Sequence, residues 1–444
     1  MSAAISTISS STRAGWEGSD TAARPGGRGR PELRLPRFLA DSRMRLADRV
    51  SRFARFIEGE YQRDLLVARE IVSPMGREVY VRDPRTGIAR PMLMFGSNNY
   101  LGLVNDPLVT ERVKQAASRW GAGVAGPPML NGTTSLHRSL EHRLSRLKCT
   151  EAALLYSSGY GANVGWISGL VGRRDVVVLD ERSHASAFDG IKHTKARAVT
   201  FRHNDVADLR ARLAEIASSD KCANVFVLVE GVYSMDGDLA PLDEIVPLCR
   251  RFDAFLVVDD AHGTGVLGDN GGGAAEHFGL QGEVDLAMGT FSKAFAITGG
   301  FLAGRKEVID FLRFFSRPYF FSASLPPMAV AAVLAGLDIL ARQPERRARL
   351  HENVRYLVGA LCSLGIDCRS ESAIVPVRVP AGKSIRRLGR RFDDAGIFLN
   401  AIEYPAVAAG EERFRVSVSS EHTRSDLDRL VSLFAEIWRE EGIL

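Results

Sequence analysis

The sequence predicts an α/β protein: a large domain with a mostly parallel sheet covered by helices, followed by a small α+β C-terminal domain. Three observations support this. Between about residues 106 and 330, short apolar runs alternate with segments of helical period, which is the pattern of buried parallel strands joined by crossover helices. Several of these runs close on Asp, Glu, Gly or Ser, and ligands of such sheets bind at the carboxyl ends of the strands. Beyond about residue 331 the alternation gives way to a long helix, a few short apolar runs and a final helix.

Taken in order, residues 1–35 are rich in Ser, Gly, Arg and Pro, lack an apolar period and are read as a disordered tail. Residues 36–105 form an N-terminal arm. Within it, Leu39, Leu46, Val50, Phe53 and Ile57 recur at helical spacing over 38–69, interleaved with Arg43, Arg45, Arg49, Arg52 and Arg55. Such a basic amphipathic helix suits an anionic membrane surface, a partner subunit or plain solvent. The 106–330 domain opens with Asp106-Pro107, a helix start in which the carboxylate caps and the proline lacks only an N–H that would be unsatisfied there. Leu136, Leu140, Leu144 and Leu147 form one stripe of the next helix. Strands are expected at Ala152–Tyr156, Asp175–Leu179, Asn224–Val229, Phe255–Val258 and Leu286–Gly289. A helix follows from Pro326-Pro327 to Arg342, and the 331–444 domain adds runs at Ala373–Val379 and Arg413–Val418 and a helix from Ser425.

Composition narrows the function. The net charge of +5 over 444 residues is too weak to suggest nucleic acid, while a phosphate-bearing ligand needs only a local patch. The longest nearly uninterrupted apolar stretch, Leu325 to Leu337, is shorter than the ~20 residues needed to span a bilayer. Cys149, Cys222, Cys249, Cys362 and Cys368 are odd in number and widely spaced, with no CxxC or Cys/His cluster. No metal site or disulfide framework is expected, and a reducing cytoplasm fits best. Lysine is rare, at eight against fifty arginines, so each one is worth inspecting.

One lysine stands out. Phe255-Leu-Val-Val-Asp259-Asp260-Ala-His262 is an apolar strand ending in a carboxylate, and Met288-Gly-Thr290-Phe-Ser-Lys293 ends the next one in a lysine. One crossover separates them, so Asp259 and Lys293 can face one cavity. That pair suits pyridoxal phosphate: the lysine forms a Schiff base with the aldehyde, and the aspartate pairs with the protonated pyridine nitrogen. Singly, each residue is more often structural, an aspartate as a turn cap and a lysine as a solvated charge. Three further strand ends converge. Tyr156-Ser-Ser-Gly159-Tyr160-Gly-Ala-Asn163 opens a helix where backbone N–H groups can meet a phosphate. Asp180-Glu-Arg-Ser-His184 supplies a flat imidazole that can stack on a pyridine, although a turn histidine is the plainer reading. Glu230-Gly-Val-Tyr-Ser234 presents a hydroxyl.

In this order the segments resemble the α-oxoamine synthase family of fold-type-I pyridoxal phosphate enzymes, with an aminotransferase-like fold. The resemblance runs from Phe95-Gly-Ser-Asn98-Asn-Tyr100 to Arg415-Val-Ser-Val-Ser-Ser-Glu-His422, about three quarters of the chain. Gly132-Thr-Thr-Ser-Leu-His137, Asp259-Asp-Ala-His262-Gly-Thr-Gly265 and Gly289-Thr290-Phe-Ser-Lys293 are its characteristic motifs. It implies that Lys293 is the Schiff-base lysine and proton carrier, that Asp259 pairs with the ring nitrogen and that His184 stacks on the ring. His262 and Ser234 approach the phenolic oxygen; Gly159, Tyr160 and Thr290 hold the phosphate. Asn98 borders the amino acid, and Arg415 clamps its carboxylate. Ser322 reaches the phosphate of a partner subunit, because family sites lie at a homodimer interface.

The implied reaction is the decarboxylating condensation of a small α-amino acid (serine, glycine or alanine) with an acyl thioester of coenzyme A or an acyl carrier protein. Where the family often has arginine, this chain has Pro128, and Pro127 and Met129 replace residues that are polar in the aminolevulinate branch; an apolar acyl chain is therefore favoured over succinyl. Phe201-Arg-His203-Asn-Asp205, Arg317–Pro327 and Ala406 resemble the serine palmitoyltransferase branch most, while Asp259–Gly265 and Lys293-Ala-Phe-Ala resemble the oxononanoate and ketobutyrate branches. A secondary-metabolite synthase of the same chemistry fits equally. An aminotransferase or β/γ-lyase on this fold is the alternative enzyme class, and a non-catalytic regulator the alternative outside catalysis.

Overall fold

The computed structural model describes residues 44–61, 66–219, 224–404 and 406–444. The expected tail over 1–35 lies outside them, as do Leu39, Arg43 and Cys222. The strands, in chain order, are β1 (Glu70–Ile71), β2 (Glu78–Arg82), β3 (Ala89–Met94), β4 (Ala152–Tyr156), β5 (Val176–Asp180), β6 (Arg197–Phe201) and β7 (Val225–Glu230). They continue with β8 (Phe255–Asp259), β9 (Leu286–Thr290), β10 (Gly300–Gly304), β11 (Ile374–Arg378), β12 (Ile397–Phe398), β13 (Asn400–Ile402) and β14 (Arg413–Ser417).

Seven of them form the central sheet in the order β4-β10-β9-β8-β7-β5-β6. The pairs β5–β6, β5–β7, β7–β8 and β8–β9 are parallel; β10 runs antiparallel to both β4 and β9. Successive residues along each strand feed two different apolar layers. Leu155, Val178, Val227, Val229, Val258 and Phe301 join one; Leu154, Val177, Leu179, Leu228, Val257 and Met288 join the other. Burial on both faces is why these runs are continuously apolar instead of alternating.

Two strands of the central sheet depart from the expectation. β10 is Gly-Phe-Leu-Ala-Gly, whose flanking glycines read as turn, yet all five residues are buried between β4 and β9. β6 is an edge strand, and only its last residue is buried, so it carries little apolar signal. β5 starts one residue later than expected because Asp175 acts as a cap: its carboxylate accepts the N–H of Gly172 at 2.7 Å and of Asn224 at 3.0 Å.

The helices from Asp106 and from Pro326-Pro327 are as expected. Asp106 accepts the Leu108 N–H at 2.9 Å, with Pro107 at the first helical position, and the second spans Pro327–Arg342. The described part of the arm helix spans Leu46–Tyr61, and 66–69 are not helical, although the periodicity suggested helix up to Arg69. Arg69 instead donates to Asp393 and to the Leu399 carbonyl and covers the Phe398 ring. Towards the C-terminus β11, β14 and β13 form an antiparallel sheet, while β12 pairs in parallel with β3. The last helix, Arg424–Glu440, is capped by Thr423.

Candidate active site

The site gathers at the carboxyl ends of β5, β7, β8 and β9. Asp259 closes β8 and is 5% exposed. Its Oδ2 accepts from the Asn163 amide at 2.7 Å, and its Oδ1 from the Ala261 N–H at 3.1 Å. The turn behind it is pinned by the buried pair of Asp260 and Lys148, whose ammonium also donates to the Thr264 hydroxyl and the Gly272 carbonyl. Gly273, at φ +99°, completes that turn; a Cβ there would sit 1.6 Å from Asp260 Oδ2, so no side chain fits.

Asn163 connects Asp259 to His184. It is fully buried in the helix Gly159–Leu170 and is fixed by the Trp166 indole N–H at 3.1 Å. Its amide donates to Asp259 and, at 2.9 Å, to the Ser186 hydroxyl. His184 caps the helix Ala185–Lys192: its Nδ1 accepts the Ser186 N–H at 3.3 Å and lies 2.7 Å from the Ser186 hydroxyl. Burial, and secondarily Lys293, outweigh Asp259 and hold its pKa below the ordinary value. A neutral ring accepting at Nδ1 carries its proton on Nε2.

Lys293 follows β9 and is partly buried. Burial lowers its pKa to about 8, against the opposing pull of Asp259. His262 is buried, and its Nδ1 lies 2.8 Å from the Tyr100 hydroxyl. Burial first, then the positive charges of Lys293 and Arg415, push it well below the usual range. At the far wall Arg415, on β14, is 7% exposed. One of its Nη atoms donates to Asn98 Oδ1 at 3.1 Å and to the Tyr100 hydroxyl at 3.4 Å. Its Nε is buried without a hydrogen-bond partner, and it has no ion pair among the described residues.

Gly159 and Tyr160 head the Gly159–Leu170 helix, where Ser158 caps by accepting the Gly161 N–H at 2.9 Å. A Cβ on Gly159 would come 2.9 Å from Thr290 Cβ and 3.1 Å from its Oγ1. The Tyr160 hydroxyl is committed to Asp189 at 2.6 Å, leaving its backbone N–H for an anion. Ser234 is partly buried in the loop after β7, and its N–H approaches the Glu230 carboxyl. Ser322 lies elsewhere: with Pro128, His137 and Ser157 it lines a separate cavity beyond the helix Arg317–Phe320. In the neighbouring turn Pro128–Gly132, Met129 packs into the core, while Leu130 is 78% exposed.

Sequence reasoning passed over Asn163, Tyr100 and Glu230 as site residues. A polar side chain inside an apolar helix is the signal that could have found Asn163. Among the described residues, one group has metal-ligand spacing: His203, Asp236 and Asp238. Asp236 is already paired with Arg182 at 2.8 Å and with Arg413, and His203 bridges Asp180 and Asp238.

These residues fit pyridoxal phosphate. A buried carboxylate with two donors is ready for a pyridinium, a lysine of lowered pKa for an aldehyde, a glycine-headed helix start beside Thr290 for a phosphate, and a guanidinium with an unpartnered Nε for a carboxylate. Fold and site thus define a pyridoxal phosphate-dependent enzyme. The pattern of the aminotransferase class I and II family matches residues 90–434. The chain belongs to that family and, within it, to the fold-type-I α-oxoamine synthases, pyridoxal phosphate-dependent C-acyltransferases. It is 39% identical over 403 residues to serine palmitoyltransferase of Sphingobacterium spiritivorum, covering 90% of this chain and 99% of that protein. It is 38% identical over 377 residues to 8-amino-7-oxononanoate synthase of Thermosipho melanesiensis, covering 85% and 94%. A solved serine palmitoyltransferase structure holding pyridoxal phosphate superposes with a TM-score of 0.83 at 33% identity, covering 90% of this chain and all of that one.

Proposed function

We propose that the enzyme condenses a small α-amino acid (serine, glycine or alanine) with an apolar acyl thioester, in the manner of serine palmitoyltransferase. Carbon dioxide and the free thiol leave, and an α-amino ketone remains. The observation that carries this reading is Arg415, a buried guanidinium with an unpartnered Nε and no ion pair among the described residues. A buried cation without an internal counter-ion is costly unless a ligand supplies the anion, and a planar fork matches a substrate carboxylate.

Bound by Gly159, Tyr160 and Thr290 at its phosphate and by Asp259 at its ring nitrogen, pyridoxal phosphate supplies an electron sink for the pair left on the α-carbon. Lys293 Nζ, with a pKa of about 8, is poised near neutral pH to take the α-proton and return it. His184, neutral with its proton on Nε2, would face the ring and donate toward the substrate carboxylate. His262 and Ser234 steady the phenolic oxygen, with His262 held by Tyr100. Asn98 and Arg415 together fix the carboxylate that is lost.

The protein is proposed to act as a homodimer in the cytoplasm, with Ser322 reaching the partner subunit's phosphate site. Leu130 and Phe321, 78% and 71% exposed beside that cavity, support an apolar subunit contact there. No described helix is long and apolar enough to cross a membrane. The arm helix leaves Leu46 and Val50 exposed among arginines, which supports peripheral contact with an anionic surface. Deleting residues 38–69 is then expected to weaken binding to anionic vesicles; unchanged binding would assign the arm to the dimer.

A matrix of amino acids against acyl thioesters of graded length tests the main reading. Thiol release is expected only when both substrates are present, with labelled carboxyl carbon recovered as carbon dioxide. Retention of that label in the product would exclude the condensation and favour an aminotransferase or lyase. Lys293→Ala is expected to abolish the visible absorbance of the cofactor-loaded protein.

A further inference from the structure

Glu230 closes β7 directly beside Asp259, with which it is in register. It is 3% exposed, and none of the roles above uses it. The backbone N–H groups of His184 and Ser234 approach its carboxyl. These belong to the two loops that present the ring-facing imidazole and the hydroxyl. Its Oε1 is buried without a hydrogen-bond partner. The charged and titratable groups around it are Asp259 from β8, Lys293 from the segment after β9, His184 from the loop after β5 and Tyr233 on its own loop.

Two carboxyls on adjacent strand ends in one apolar wall do not both ionise, because each charge disfavours the other. Asp259 has a side-chain amide donor and a backbone donor and is the better-supported anion. Glu230 has no side-chain donor among the described residues and an orphaned oxygen. Burial, reinforced by Asp259 and only partly offset by Lys293, drives its carboxyl well above the ordinary range.

We propose that Glu230 is a further positioning residue: as a neutral carboxylic acid it ties the His184 loop to the Ser234 loop and leaves Asp259 as the anion beneath the cofactor. This rests on the assignment of Lys293 and Asp259 to pyridoxal phosphate, and the test separates the two claims.

Glu230→Gln and Glu230→Ala are compared with the wild type. The infrared spectrum of the cofactor-free wild type is expected to show a protonated-carboxyl stretch at pH 7–8 that Glu230→Gln lacks. With cofactor bound, the pH midpoint of the visible absorbance is expected to agree between wild type and Glu230→Gln within about 0.3 unit, since an amide replaces a neutral acid. Glu230→Ala is expected to lose roughly tenfold or more in kcat, and Glu230→Gln to recover it to within about threefold, because the amide oxygen still faces both N–H groups. An anionic Glu230 favours the protonated Lys293 nitrogen. A Gln midpoint lowered by about one unit or more, or no protonated-carboxyl stretch, therefore overturns the proposal. Should the Ala variant fail to fold, the two spectra of Glu230→Gln decide alone. If Lys293→Ala kept the visible band, the cofactor assignment would fall, while the infrared result would still report on Glu230.

Discussion

Arg415 shows what a single residue contributes and how much of it could be read in advance. With fifty arginines in the chain, its type carries no information, and only its motif context singles it out. Burial with an unpartnered Nε turns that context into chemistry. Arg415→Lys keeps the charge but loses the planar fork. It is expected to raise KM for the amino acid about 10- to 100-fold, with a smaller change in KM for the acyl thioester. Equal increases for both substrates would remove Arg415 from the carboxylate site. Lys293 and Asp259 were legible because each closes an apolar run. Asn163 and Tyr100 were not, because their partners lie 96 and 162 positions away and meet them only in the fold.

At the scale of elements, the loops after β5, β6 and β7 are fastened to one another by His203. The motif containing it was noticed only for its resemblance to one branch of the family. Its Nδ1 lies 3.1 Å from Asp180, which is fully buried, and its Nε2 lies 2.8 Å from Asp238. Burial alone would depress the imidazole, but hydrogen bonds and charge from both aspartates raise its pKa to about 9. A pKa above the unfolded value of 6.5 gives stability that is complete below about pH 6.5 and lost as pH rises through about 9. His203→Gln is therefore expected to cost roughly 2–3 kcal/mol at pH 6 in denaturant titrations, shrinking towards zero above pH 9. A deficit constant from pH 6 to 10 would show that the imidazolium charge is not what joins the loops. The same element scale explains the strands missed in the central sheet: β10 is glycine-flanked, and β6 is an exposed edge, so neither carries the apolar run that marks a buried parallel strand.

Over the whole molecule, the two ends of the chain are interlocked. β3 pairs with β12, and Asp393 receives Arg69 at 2.9 Å, Arg90 at 2.5 Å and Arg390 at 3.3 Å. We propose that the small domain is built from both ends, joining residues 66–94 of the arm to the C-terminal region. Burial keeps the Asp393 carboxyl above its ordinary pKa even among these guanidinium groups. Asp393→Asn leaves Arg69 and Arg90 without their carboxylate partner and is expected to cost about 3–5 kcal/mol, read as a lower denaturant midpoint. A loss below about 1 kcal/mol would mean that the apolar contacts alone hold the ends together.

By itself the sequence determined the alternating α/β plan, the strand-ending carboxylate and lysine and, through its motifs, the kinship with α-oxoamine synthases. These are local properties: a buried strand must be apolar throughout, and the chemistry sits where the apolar run stops. Only the tertiary structure decided the antiparallel β10, the shared sheet of β3 and β12, the Asn163 link between Asp259 and His184, and the pairing of Glu230 with Asp259. Each of these depends on which strands become neighbours, which is set by packing across the whole sheet and not by any run of adjacent residues.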